Sequence, residues 1–243
     1  MIEVDRAHQM LEGPLSKQIA EALAILKDRD ALVSMSQAAA DSVAPTVANP
    51  SESIVVLLEF RREGSAQELL GAASQVAGQI AASVTAIQPD ATDPIPSETL
   101  ATWGADHIVN LQNSVVAEDV ARFVVHWCPD PGPWGILAPS TSWGREVASS
   151  VAARLNAGLT GDAIELEVED HKPVSWKPAF GGRLVAATRA NSPTQIVTVR
   201  PGVLPRLIPR RASAPTVETH TIEPKSRFRV VEHQQNPPSI KGS

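Results

Sequence analysis

Beyond residue 53 the chain alternates between short apolar runs and longer segments whose apolar side chains recur at helical spacing, the pattern of strands interleaved with helices. Apolar runs over residues 54–60, 107–111 and 135–138 read as strands buried on both faces, as in a parallel sheet. Between them an Ala-rich stretch predicts a helix over 67–86, and a short helix lies around Leu100. Another covers 117–126, with Ser114 signalling its start and the Pro-rich turn at 129–133 its end. Val147, Val151 and Leu155 mark the helix that follows residues 135–138. Residues 163–169 alternate Glu165, Glu167 and Glu169 with Ile164, Leu166 and Val168, so this strand has a wet face and belongs at an edge or in a hairpin. Strands over 184–188 and 195–199 are joined by a turn at 190–193. The expected fold class is α/β, a mostly parallel sheet flanked by helices.

Ahead of this pattern, Leu15, Ile19, Ala22, Leu23 and Leu26 fall on one face of a helix that starts after Gly13-Pro14, and Pro45 and Pro50 mark a connector. Residues 1–52 therefore read as a helical extension whose apolar face must cover either the main domain or a partner. The main domain is expected over 53–205. Residues 206–243 are punctuated by Pro209, Pro215, Pro224, Pro237 and Pro238 and made locally basic by Arg206, Arg210 and Arg211, which reads as a linker or tail. The short run 228–231 could add one strand to a sheet.

Composition narrows the function classes. The 243 residues, 43% of them hydrophobic, suffice for one αβα domain with a real core plus extensions. No apolar run approaches the roughly 20 residues of a membrane-spanning helix. The opening Met-Ile-Glu-Val-Asp-Arg lacks the base-then-apolar order of a secretory signal, so a cytoplasmic location without membrane insertion is expected. A single cysteine, Cys128, leaves no intrachain disulfide, and the six histidines are scattered without ligand spacing, so no metal site is expected. A net charge of −6 gives no global attraction to nucleic acid, and the basic cluster of the tail has few aromatics beside it. There is no Gly-x-Ser-x-Gly elbow, P-loop or Gly-x-Gly-x-x-Gly fingerprint, and no catalytic residue is assigned.

The most informative stretch is 134–159, where a short strand runs through a Ser/Thr/Gly turn into a helix. Backbone N–H groups at a helix start lack intrahelical partners and the macrodipole adds partial positive charge, so Ser140, Thr141, Ser142 and Gly144 are candidate anion-binding residues. Arg145 stands where it could meet an anion or a partner carboxylate. The alternative is that Thr141 or Ser142 simply caps the helix.

Four segments in order carry a family resemblance: Leu137-Ala-Pro-Ser-Thr-Ser-Trp-Gly-Arg-Glu-Val-Ala148, Val151-Ala-Ala-Arg-Leu-Asn-Ala-Gly-Leu-Thr-Gly-Asp162, Lys177-Pro-Ala-Phe-Gly-Gly-Arg183 and Thr198-Val-Arg-Pro-Gly202. Together they resemble the N-terminal domain of the electron transfer flavoprotein alpha subunit over residues 53–205. The resemblance implies a three-layer αβα domain related to adenine-nucleotide-binding folds (adenine-nucleotide-alpha-hydrolase-like) and pairing with a beta-like subunit. It also implies FAD in the assembly, held by a second domain whose motifs are not found after the linker-like residues 203–235, so the flavin is expected on another polypeptide. In the related beta subunit the corresponding loop handles AMP, whereas the alpha domain leaves it unoccupied; an empty Ser140–Arg145 loop is expected here. Phe180, Gly181, Gly182 and Arg200 are the candidate interface residues. The two glycines suit a sharp turn with close backbone approach, or a plain hairpin turn. Arg200, held extended by the following proline, would anchor the linker or the second subunit.

The expected function is therefore that of an electron transfer flavoprotein alpha-like subunit, passing electrons between a dehydrogenase or larger oxidoreductase and an acceptor through a flavin on a companion chain. The alternatives are a non-redox scaffold or regulatory subunit that kept the fold without flavin, and a nucleotide sensor using Ser140 to Arg145.

Overall fold

The computed structural model describes residues 13–28, 50–89, 93–113, 116–130, 132–208 and 214–227. After α1 (Leu15–Asp28), the chain runs β1 (Glu52–Leu57), α2 (Glu63–Ile80), β2 (Ala82–Gln88), α3 (Ser97–Thr102), β3 (His107–Gln112), α4 (Ala117–Trp127), β4 (Gly135–Pro139) and α5 (Ser142–Leu155). It continues through β5 (Gly158–Ala163), β6 (Glu165–Glu169), β7 (Lys172–Ala179), β8 (Leu184–Thr188), β9 (Gln195–Val199) and β10 (Thr216–Thr221). Seven strands form one sheet in the order β10-β3-β2-β1-β4-β9-β5, and every pairing in it is parallel. A separate antiparallel sheet has the order β6-β7-β8. The parallel three-layer α/β architecture is the one the sequence predicts.

The layers follow from alternation along the strands. Ile54, Val56, Leu137 and Val197 face α2, meeting Leu69, Leu70 and Ala73, while Leu166 and Val168 of β6 cover the same side. Val55, Leu57, Ile136 and Ile196 face the opposite layer, where Val120 and Val124 of α4 and Val147 and Val151 of α5 close the core. Each such fully buried branched side chain contributes roughly 1.5–3 kcal/mol of transfer free energy.

Four readings are corrected by the structure. The helix expected over 67–86 stops at Ile80, and residues 82–88 are the strand β2, lying between β1 and β3. The break is at Ala81, which is left-handed (φ 55°) and returns its amide to Ala77 O with neither Gly nor Pro to mark it. Because β2 is buried on both faces, its sequence has no two-residue alternation to set it apart from the Ala-rich helix before it. The strand expected over 54–60 ends at Leu57, and the one expected over 163–169 is the end of β5 followed by β6. Strands β8 and β9, neighbours in sequence, belong to different sheets. Strand β7 was not anticipated at all; it carries Pro173 and Pro178 in a small sheet where its pairing is antiparallel.

The stretch after β9 is held to the domain at several points. Glu68 of α2, 3% exposed, accepts the Gly202 amide at 2.7 Å and faces Arg206 Nε at 3.4 Å. Leu207 is 1% exposed and packs on Gly71. Residues 216–221, read from sequence within the tail, form β10 along β3, and Asp119 of α4 then accepts the amides of Lys225 and Ser226, each at 3.1 Å. The run 228–231, Ser114 and most of the 41–52 connector lie outside the described residues. In α1, Leu15, Ile19 and Leu23 are exposed.

Candidate functional site

In sequence the strands run outward from β1 through β2 to β3 and then restart on its other side at β4. The reversal makes a crevice at the carboxyl ends of β1 and β4, the usual ligand position in open parallel sheets. The β4–α5 loop, with the residues singled out from sequence, stands at this rim. Thr141 is the N-cap of α5: its backbone is extended and its Oγ1 accepts the Gly144 amide at 3.0 Å. The capping alternative is thus realised for Thr141. Ser140 is 8% exposed and its amide donates to Val199 O at 2.6 Å, joining the loop to the end of β9. Gly144 is fixed by packing, since a Cβ there would lie 2.0 Å from Pro139 O.

Arg145, in the first turns of α5, donates from Nε to Ser140 Oγ at 3.0 Å and brings Nη2 within 3.6 Å of Asp162 Oδ1. Arg200, at the end of β9, donates from Nε to Asp162 Oδ1 at 3.3 Å and from Nη2 to Oδ2. The hydrogen bond from Arg200 holds the Asp162 carboxyl below the ordinary aspartate range against the opposing effect of burial, with the charge of Arg200, Ser140 and Arg145 adding to it. Asp162 in turn raises Arg200, chiefly through the same hydrogen bond. Ser140, Arg145 and Arg200 are therefore brought together at Asp162, a residue the sequence pattern does not single out, while Thr141, Ser142 and Gly144 lie on the same loop and helix start. The one sequence signal for Asp162 was its place as a lone acid closing the Gly-Leu-Thr-Gly-Asp segment that carries the resemblance.

Phe180, Gly181 and Gly182 belong to another element, the tip of the β7–β8 hairpin, where they make a single 3-10 turn. All three have positive φ, 50°, 68° and 79°. Phe180 is 80% exposed, and Val185 beside the turn is 54% exposed.

At the opposite end of the sheet, where β4 and β9 begin, a cleft of about 350 Å³ is lined by Cys128, Asp130, Arg154, Asn156, Ser192 and Pro193. Burial pushes the Cys128 thiol up to about 11. Among the described residues no group of acidic, histidine or cysteine side chains could hold a metal ion, and no helix is long and apolar enough to cross a membrane.

As for a flavin, the side-chain donors at the β4–α5 rim do not fit its phosphates in this arrangement. Both guanidinium groups, the charged donors of the rim, are engaged by Asp162, and the Thr141 hydroxyl oxygen accepts the Gly144 amide as a helix cap.

A family model described as the electron transfer flavoprotein domain matches residues 60–225. The electron transfer flavoprotein subunit alpha of Clostridium acetobutylicum is 30% identical over 158 residues, 60% of this chain and 47% of that protein. Protein FixB of Clostridium saccharobutylicum is 33% identical over 159 residues, with the same shares. The lactate dehydrogenase (NAD(+),ferredoxin) subunit LctC of Acetobacterium woodii is 31% identical over 140 residues, 55% of this chain and 33% of that protein. The chain spans about half the length, or less, of these relatives.

Proposed function

We propose, from the premise that this chain belongs to the electron transfer flavoprotein domain family, that it serves as an alpha-like subunit of an electron-transferring assembly. In this reading it pairs with a beta-like subunit and supports an FAD held by a companion domain, so that electrons pass from a dehydrogenase to an acceptor. The observation that carries the reading is the family match over 60–225, supported by relatives named as alpha, FixB and LctC subunits. The flavin would supply the redox chemistry; this chain's own residues would bind and orient. Phe180, at the exposed hairpin tip, would contact the partner, while Gly181 and Gly182 permit the left-handed turn that presents it. Arg200, fixed by Asp162, would anchor the chain as it leaves the sheet for the second subunit or the linker. The proposed setting is the cytoplasm, with no role for nucleic acid or membrane insertion.

Purification of the tagged chain from cells co-expressing the beta-like subunit and the flavin-bearing polypeptide tests this. A yellow ternary complex with a flavin absorption spectrum is expected. Recovery of the chain alone, colourless and without either companion, would overturn the reading.

A further inference from the structure

Among the described residues four strands are outermost: β10 and β5 at the edges of the parallel sheet, β6 and β8 at those of the small one. An outer strand presents unpaired backbone groups on which another chain can add a strand, and proteins guard such edges with charge, proline or a bulge. Three of the four are guarded. Strand β10 carries Glu218 and His220, and β6 carries Glu165, Glu167 and Glu169. Strand β5 breaks register against β9 between Thr160 and Ala163, where Asp162 is left-handed (φ 63°). Strand β8, Leu184-Val-Ala-Ala-Thr188, holds no charge, proline or glycine, and its ladder to β7 runs without a shift.

The pairing with β7 decides which backbone groups of β8 are open. Val185 lies opposite Pro178, which has no N–H to give, so the two form a pair without ladder hydrogen bonds. The N–H and C=O of Val185 therefore point away from β7, as do those of Ala187 two residues on, whereas Leu184, Ala186 and Thr188 bond to β7. The side chains of Val185 and Ala187 are exposed as well. Exposed Arg183 and Arg189 flank the strand, and Arg189 meets only the exposed Asp170, at 4.0 Å.

We propose that β8 is a docking edge onto which the beta-like subunit adds an extended strand, uncharged at its middle and carrying a carboxylate at each end. The proposal rests on the subunit reading and names the contact within it. Main-chain hydrogen bonds to Val185 and Ala187 hold the added strand, and its carboxylates meet Arg183 and Arg189. The same arginines select against a second copy of this chain. A two-fold pairing that overlaps the whole of β8 sets Arg183 opposite Arg189 of the other copy at both ends, and like charges directly opposite destabilise a sheet. The edge also begins at the hairpin tip where Phe180 is exposed, so the added strand continues the contact proposed there.

The test is amide hydrogen exchange, read residue by residue on the full chain alone and in its complex with the co-expressed beta-like subunit. In the complex the Val185 and Ala187 amides are expected to slow by about tenfold or more, while Leu184 and Ala186, already bonded to β7, change little. Ala187→Pro removes an outward N–H and spares the ladder to β7, as prolines on edge strands do. It is expected to lower recovery of the beta-like subunit by about tenfold or more. Val185→Lys, which puts a charge on the edge and leaves the backbone intact, gives the same reading if the proline variant does not fold. A complex in which Val185 and Ala187 exchange as fast as in the chain alone overturns the inference and leaves the subunit reading standing, as does undiminished recovery with the folded variants. Failure of the unsubstituted chain to form the complex overturns both. The inference also falls if these two amides are already slow in the chain alone, through another segment of it or, with a dependence on concentration, through a second copy.

Discussion

Leu207 lies directly on Gly71: a Cβ built on the glycine would stand 2.9 Å from the Cβ of Leu207, closer than two carbons pack. The chain leaving β9 therefore rests on the backbone of α2, flanked by Arg206 over Gly64 and by the Gly202 amide on Glu68. Leu207→Ala is expected to cost about 2–4 kcal/mol, the loss for a buried leucine. In Gly71→Ala the gain in helix propensity, about 1 kcal/mol, opposes overpacking of about 1–3 kcal/mol, and the net effect is expected to be destabilising. Urea unfolding midpoints measure both, and a midpoint unchanged in Leu207→Ala would show that the contact contributes nothing.

Gly144 is expected to tolerate no side chain. The obstacle to its Cβ is the carbonyl oxygen of Pro139 at 2.0 Å, a backbone atom that no rotamer change can move. Gly144→Ala should destabilise by about 3 kcal/mol or more, at the upper end of overpacking costs, as read by thermal unfolding. A fully stable alanine variant would mean that α5 can shift away from β4.

Asp119 makes stability depend on pH. Burial alone would raise its carboxyl, but the hydrogen bonds from Lys225, Ser226 and Arg122 outweigh it, and the net direction is downward. A carboxyl lowered in the folded state stabilises it fully above its unfolded value, and this contribution fades as pH falls through the folded value. The stability gap between the unsubstituted chain and Asp119→Asn should therefore be constant above about pH 5 and shrink below about pH 4. A gap of about 1–3 kcal/mol is expected at neutral pH, since the variant keeps a neutral acceptor for the two amides but loses the charge that strengthens those bonds and pairs with Arg122. Urea titrations across that range measure it; a gap that widens in acid would contradict the assignment.

Cys128 should react slowly with thiol reagents near neutral pH, because its thiolate is scarce until the pH approaches about 11. Alkylation rates measured against pH are expected to rise through pH 9 without levelling. A plateau near the free-cysteine value, about 8.5, would mean the thiol is better solvated than its surroundings indicate.

Phe180→Ala is expected to leave the fold untouched, as the ring is 80% exposed, and to weaken recovery of the companion subunits in the co-purification. Unchanged recovery would remove the hairpin tip from the proposed interface.

Strands and helices at the centre of the domain were legible where local pattern matched tertiary role. The apolar run Gly135–Pro139 followed by the Thr141 cap and the spaced Val147, Val151 and Leu155 reads the same in sequence and in space, because both elements are specified by neighbours in the chain. Strand β2 was illegible for the opposite reason: burial between β1 and β3 removes alternation, and Ala81 turns the chain with no residue that advertises a turn. Strand β10 is polar and mostly exposed, so its place is set by the ladder to β3 and by Asp119, over a hundred residues away in sequence.

The sequence by itself determined the α/β class, the order of most elements, a helix start with a cap at Thr141 or Ser142 and the family likeness, all of which depend on residues close together along the chain. Only the tertiary structure decided that Asp162, Arg145 and Arg200 form one ion-paired cluster. Their contacts are made between the ends of β5, β9 and the first turns of α5, and a bulge with a left-handed residue aims the carboxylate there. No periodicity encodes a convergence of that kind, because it depends on which strands become neighbours in the sheet.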